Sequence, residues 1–425
     1  RVCTSGRTTM TSTRVSAAYR IAGVLLLAVP FLPIRRLFGP LEGAGALVPP
    51  GEWALGLGLF GVVAWLVLVF VPDASRTPGP WAARLDRGTD RAWGAAALTL
   101  LAAVLVAVSW IAYDRSPHLI DSVVQLFQAK IFAGGGLAAL PPPGGEFFVT
   151  QQMLIGPDGW YAQYPPGHPA LLAWGVAAGA PWAVPVLLTL AAAALVHASV
   201  RRMYGRRCAR LTLLLLVLCP FLWFMGASFM NHVSSLFFVS LFLYLFVRWE
   251  ESGGAAWAAT AGGALGAAAL VRPLTAVAVA VPFVGFALAS GRRKHVLAAA
   301  GGFAALASLY LAYNALVTGD ALLTGYVKLW GESHGLGFHE TPWGGEHTFV
   351  EGVRNELLDL SLVNLFLFEW PVPALLPVGV AFAAGWTRET WDRRLLAAFL
   401  ALPAAYLFYW HRDAFRGPRF LYSGI

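Results

Sequence analysis

Asp121 is the acid whose surroundings most favour chemistry. It lies in the stretch IDSVVQLFQAKIFAGG, residues 120–135. Ile120, Val123, Val124, Phe127 and Ile131 recur at helical spacing, and Asp121, Gln125 and Gln128 fall on the opposite face. That pattern predicts a short helix lying in a membrane interface, apolar side down. In the first turn the helix dipole favours an ionised carboxylate. A carboxylate facing out at the mouth of a helix bundle is placed to take a proton. Aspartate is also a favoured helix-start residue, so capping is the competing reading.

Three further groups carry reactive side-chain types. Tyr164-Pro165-Pro166-Gly167-His168-Pro169 is a stiff turn: proline fixes φ and removes donors, and glycine permits close backbone approach. With Trp160 and Tyr161 beside it, the same turn can be an interfacial aromatic belt. Arg272 ends an apolar run in Leu270-Val271-Arg272-Pro273, where a snorkelling role competes with ligand binding. His334, His339, Glu340, Glu346 and His347 share one loop, but their spacing matches no tight ligand motif, so a divalent metal is the lesser reading and no cofactor is expected. A polar loop covering the site is the plainer one, with Gly335, Gly337, Gly344 and Gly345 letting it move as a lid.

The elements that position these residues are membrane spans. Hydrophobic residues make up 58% of the 425 and charged residues 12%, about half the charged share of a soluble domain. Long apolar runs recur throughout, which predicts an all-α polytopic membrane protein and excludes a β-barrel of short alternating strands. About eleven spans of ~20 residues are expected, with two long polar loops near 114–169 and 316–369. The first residues are basic, and a signal anchor is expected over Ile21–Leu37, followed by a span at Trp53–Val71. The chain begins with Arg and stops after a polar stretch, so a missing C-terminal part is expected.

The net charge of +8 belongs to short loops between spans and does not imply nucleic acid. Loop 200–210 holds Arg201, Arg202, Arg206, Arg207 and Arg210, loop 291–295 holds Arg292, Arg293 and Lys294, and loop 387–394 holds Arg388, Arg393 and Arg394. With 72–92 they alternate consistently, which puts them in the cytoplasm and both long loops outside; Arg35 and Arg36 are a small violation. Cys3, Cys208 and Cys219 form no disulfide framework or metal motif. The expected span interiors hold no Asp or Glu, which disfavours an ion-coupled transporter.

The order of a span, IDSVVQLFQAKIFAGG, PPPGGEFF and GWYAQYPPGHPALLA resembles the first external loop of GT-C membrane glycosyltransferases, nearest to bacterial protein-mannosyltransferase and aminoarabinose-transferase types of family 39. FMNH at 229–232, LVRPLTA at 270–276, YNALVTGDALLTGY at 313–326 and FRGPRF at 415–420 fit the same group. The resemblance covers about residues 93–425 as a catalytic module, leaving 1–92 as an N-terminal membrane segment of two spans.

What the resemblance implies is transfer of a sugar from a polyprenyl-phosphate donor to a protein, lipid or glycan acceptor at the extracytoplasmic face of the cell membrane. Asp121 matches the proposed general base, and inversion follows from direct displacement. Two departures stand out. Many relatives have an acidic pair where this chain reads Asp121-Ser122. Some have a Lys before the proline pair, where Gln163-Tyr164 stand here. Tyr164, His168, His232, Arg272, Arg416 and Arg419 are the expected substrate-binding residues, with the cations among them substituting for that Lys against the carrier phosphate. A lipid-linked sugar flippase or transporter and a polysaccharide polymerase are the alternatives.

Overall fold

A computed structural model describes residues 17–29, 88–157, 159–370, 372–383, 385, 390–413 and 417–424. The expected span Trp53–Val71, most of 1–92 and Arg416 lie outside the described residues.

The described chain is mostly helical. Helices α1 (Ala17–Ala28), α2 (Asp90–Ala107) and α3 (Ile120–Ala133) precede a small hairpin, β1 (Met153–Gly156) and β2 (Gly159–Ala162), paired Met153 to Ala162 through Gly156 to Gly159. Then come α4 (Gly167–Ala177), α5 (Ala183–Tyr204), α6 (Arg206–Val217), α7 (Pro220–Gly226), α8 (His232–Ser252), α9 (Ala255–Ala269), α10 (Pro273–Ala289) and α11 (Arg293–Thr318). The second long loop contains α12 (Gly325–Trp330) and α13 (Phe349–Phe366), before α14 (Leu376–Ala383) and α15 (Thr390–Tyr406).

Among the described residues, four helices are long and apolar enough to cross a membrane: Asp90–Ala112, α5, α8 and α11. The broken pair α6 and α7, bent by 65°, makes a fifth if it counts as one span. The eleven spans expected from apolar runs are not reached by that measure. Prolines and glycines divide several runs into shorter helices: Pro220 starts α7 after a break, and Pro273 starts α10 after the Arg272 turn.

One end of the bundle gathers the basic loops. Asp90 pairs with Arg201 at 3.2 Å and with the fully buried Arg210 at 2.6 Å. Glu250 takes Arg292 at 3.2 Å and also Arg394, and Glu251 takes Arg202 at 2.6 Å. The arginines of three loops thus meet acids from α2 and α8. The other end holds the N-termini of α8 and α10 and the C-termini of α11 and α15, and the candidate site lies there.

Helix α3 differs from its expected setting. Gln125 and Gln128 are buried, whereas Val123 of the apolar set is 41% exposed. The cause is a backbone demand. Gln128 accepts from the Ala162 N–H and donates to the Leu137 carbonyl, both at 2.8 Å, satisfying groups that would otherwise be buried unpaired. Gln128 therefore turns toward the hairpin rather than outward, beside Val124 of the apolar set, which packs against Met153, Ala162 and Tyr164.

Candidate functional site

Two sequence motifs meet directly. Gly167 donates its N–H to the Leu270 carbonyl at 2.8 Å, and a Cβ there would stand 2.7 Å from that oxygen. Only glycine allows this approach. The contact locks the Tyr164–Pro166 turn against the Leu270–Pro273 turn, so Tyr164 and Arg272 reach the same cavity.

That cavity has a volume of about 500 Å³ and is lined by Asp121, Tyr164, Asn231, His232, Arg272 and Arg419, together with aromatic residues of the second long loop. Asp121 enters from the first turn of α3. Its Oδ1 accepts from the Tyr164 hydroxyl at 2.6 Å, and Arg419 Nη1 donates to its Oδ2 at 3.4 Å. Burial pushes the Asp121 carboxyl up. The Arg419 charge and the Tyr164 hydrogen bond oppose that and hold it below the ordinary carboxylate value of 3.8. Asp121 is thus ionised at neutral pH.

Tyr164 also stands 2.5 Å from the Gln152 amide oxygen. One hydroxyl proton cannot serve both oxygens. Turning the Gln152 amide, so that its NH2 donates to the Tyr164 oxygen, completes a chain from Gln152 through Tyr164 to Asp121. Gln152 has φ 71°, in the left-handed region that non-glycine residues rarely adopt. Burial and the neighbouring Asp121 charge push the Tyr164 phenol well above 10, so it remains a donor.

Arg272 is clamped by side chains. Its Nη2 donates to Tyr406 Oη at 2.8 Å, and its Nη1 to Asn231 Oδ1 at 3.2 Å and His232 Nε2 at 3.1 Å. Arginine has no acceptor, so His232 Nε2 carries the lone pair and its proton sits on Nδ1. Phe420 lies under both cations, with the Arg272 guanidinium 5.0 Å and that of Arg419 5.3 Å from its ring centre. Arg419 is 3% exposed and pairs with Asp413 at 2.9 Å as well as with Asp121. Its Nε–H is buried and has no partner among the described residues.

The structure thus brings together Asp121, Tyr164, His232, Arg272 and Arg419. His168 does not line the cavity. It is fully buried, with Nδ1 2.6 Å from Ser234 Oγ and Nε2 2.9 Å from the Phe229 carbonyl, so both ring nitrogens serve packing. Ser122, at the second position of the expected acidic pair, is buried. His339 and His347 bond to backbone carbonyls of the second loop and of Leu407, and among the described residues no three His, Cys, Asp or Glu side chains converge as a ligand set. Sequence reasoning passed over Gln152, Asp413 and the aromatic run Tyr409-Trp410-His411. The density of rings at 406–411, directly after an apolar helix, was the available signal.

Residues 172–324, about a third of the chain, match the family model described as dolichyl-phosphate-mannose-protein mannosyltransferase. The match supports a membrane glycosyltransferase of the GT-C type, the class the sequence resembles. The matched segment holds His232 and Arg272; Asp121, Tyr164 and Arg419 lie outside it. No curated protein and no solved structure matches the chain.

Proposed function

We propose that this protein transfers a sugar from a polyprenyl-phosphate carrier to an acceptor hydroxyl at the extracytoplasmic face of the cell membrane, with inversion. The observation that carries this is one cavity lined by an ionised carboxylate, Asp121, and two guanidinium groups, Arg272 and Arg419. The cavity lies at the end of the bundle away from the arginine-rich loops. Positive-inside orientation puts those loops in the cytoplasm, so the cavity opens outside, where activated sugars must arrive on lipid.

The acceptor oxygen forms a bond to the anomeric carbon as its proton passes to Asp121. The bond from that carbon to the phosphate oxygen breaks, and its electron pair leaves with the polyprenyl phosphate. Arg272 and Arg419 stabilise the charge that grows on the departing phosphate. The leaving group is already activated, so the step as proposed needs no cofactor.

Arg419 couples the two halves. Without donor its charge lies against Asp121 and keeps the carboxylate weakly basic. A phosphate oxygen accepting the free Nε–H draws that charge away and strengthens the base when donor is bound.

The test is transfer from a panel of labelled polyprenyl-phosphate sugars by the purified full chain and by Asp121→Asn. Donor turnover in the wild type, reduced about 10²–10⁴-fold in the variant, is expected for loss of a general base. Unchanged turnover in the variant sinks the base assignment. Movement of labelled lipid across vesicles without glycosyl transfer favours a flippase instead.

A further inference from the structure

We infer that the aromatic wall above Asp121 is an acceptor subsite for a saccharide ring, so that the receiving hydroxyl belongs to a sugar and not to a peptide side chain. This rests on the glycosyl-transfer reading and names its acceptor class.

The rings form a continuous path from the carboxylate to the rim. Tyr164, bonded to Asp121, meets Tyr326 edge-on at 5.6 Å, and Tyr326 stacks on His334 at 5.0 Å. His334 meets Trp410 at 5.3 Å, and Trp410 meets Trp343 at 5.1 Å. All five line the cavity. Trp343 is 60% exposed at the tip of a hairpin closed by the Glu340–Glu346 bridge. Gly344 and Gly345 there have φ of 82° and 89°, so the turn that presents this indole depends on glycine.

The polar atoms along the path suit hydroxyls. Trp410 Nε1–H is buried and has no partner among the described residues, so it offers a donor. Burial and the neighbouring histidine push His334 down to about 4, and burial and the Arg419 charge push His411 to about 4. Both are neutral imidazoles at physiological pH, and a neutral imidazole carries one donor and one acceptor. A pyranose has this mixed character: an apolar C–H face that lies flat on a ring and an edge of hydroxyls.

A peptide would need backbone partners, and the loop spends its own internally. Thr341 N–H bonds the Gly345 carbonyl at 2.9 Å, Gly344 N–H the Thr341 carbonyl at 3.1 Å, and His347 N–H the His339 carbonyl at 2.8 Å. Gly337 N–H is taken by the Phe408 carbonyl at 2.8 Å. These four backbone N–H groups of the wall are thus already taken, and what it presents to a ligand is ring faces and side-chain hydrogen bonds.

The test is saturation-transfer NMR on the detergent-solubilised full chain with methyl hexopyranosides, simple disaccharides and a threonine-rich peptide. Saccharide ring protons are expected to receive saturation. Trp343→Ala, at an exposed position, should weaken that binding by about tenfold, the worth of one ring contact. Trp410→Phe keeps a ring and deletes the N–H, and should weaken it by a smaller factor. Peptide saturation without saccharide saturation, no saturation of any saccharide at millimolar concentration, or unchanged saccharide binding in Trp343→Ala each overturns the inference. Hydrolysis of the lipid-linked donor, with water as acceptor, is followed in parallel. If it remains Asp121-dependent while saccharide binding fails, the acceptor inference falls and the transfer reading stands. If it is independent of Asp121, the base assignment falls, and if the donor is not turned over at all, the transfer reading itself falls.

Discussion

Arg419 divides its guanidinium between two carboxylates, with Nη1 3.4 Å from Asp121 Oδ2 and Nη2 2.9 Å from Asp413 Oδ2. The longer contact goes to Asp121, the proposed base, and the shorter to a partner that is 46% exposed. Asp413 thereby anchors the arginine without drawing on Asp121. The two acids in turn raise the Arg419 pKa against the burial that lowers it, so the cation persists at any working pH.

The pH profile of Arg419→Gln follows from this relationship. In the wild type Arg419 and Tyr164 together hold Asp121 low, so the acid limb of kcat/KM, which reports the free enzyme, lies below the ordinary carboxylate range. In the variant the cation is gone and burial dominates, so that limb moves to higher pH. The limb of kcat, which reports the donor complex, lies above that of kcat/KM in the wild type if phosphate draws the charge away. The gap closes in the variant. Coincident limbs in the wild type would remove the coupling. The same depression of the Asp121 pKa stabilises the fold above the ordinary carboxylate pKa, and that contribution is lost as pH falls through the lowered value.

Tyr164→Phe separates the hydrogen bond from the charge. The hydroxyl bonds to the ionised form of Asp121 at 2.6 Å, so its loss raises the carboxyl pKa and shifts the acid limb upward. Chemistry continues because the base remains. A rate loss of about 10- to 100-fold is expected, the worth of one hydrogen bond to a charged group. A loss as deep as that of Asp121→Asn, measured in the same transfer assay, would make Tyr164 a proton-transfer group in its own right.

Arg272→Lys tests the second cation. Three nitrogens of Arg272 are committed to Thr275, Asn231, His232 and Tyr406, a fork that a single ammonium cannot reproduce. Charge is kept while geometry is lost, so kcat is expected to fall by about 10²–10³-fold. Steady-state kinetics against donor concentration check this, and a change confined to KM would reduce Arg272 to ground-state binding.

Much of this site was legible because charge is scarce in an apolar chain. Asp121, Arg272 and Arg419 stood out against their neighbours, and the alternation of arginine loops set which end they share. The facing of α3 was not legible. Helical spacing gives two faces, yet both Val124 and Gln128 are buried, the latter by the Ala162 and Leu137 backbone groups that it satisfies. Tyr164 read as part of a rigid turn, because its bond to Asp121 spans 43 positions of sequence. The second loop read as a polar cover, yet it contains α13, whose acids Glu356 and Asp359 are buried against Arg412. Polar composition hid a packed helix there.

Glu356 gives a stability prediction with a definite sign. Burial and then the Asp359 charge push its carboxyl up to about 9 from 4.5, and Arg412 only partly offsets them. Its Oε2 is buried without a partner among the described residues, while Arg412 Nε donates to Asp359 at 2.8 Å. Glu356 therefore stays protonated in the folded chain at neutral pH and ionises on unfolding. The folded state binds the extra proton between about 4.5 and about 9, so stability falls as pH rises through that window and is flat below it. Asp359, pushed up to about 6 mainly by burial, adds to the slope at the acidic side only. Glu356→Gln has the same shape without the proton. Thermal unfolding of the solubilised chain should show a melting temperature that declines from pH 6.5 to 8.5 in the wild type and holds nearly level in the variant, which is then the more stable of the two at pH 8.5. Parallel declines would mean that Glu356 ionises in the folded state with a partner of its own.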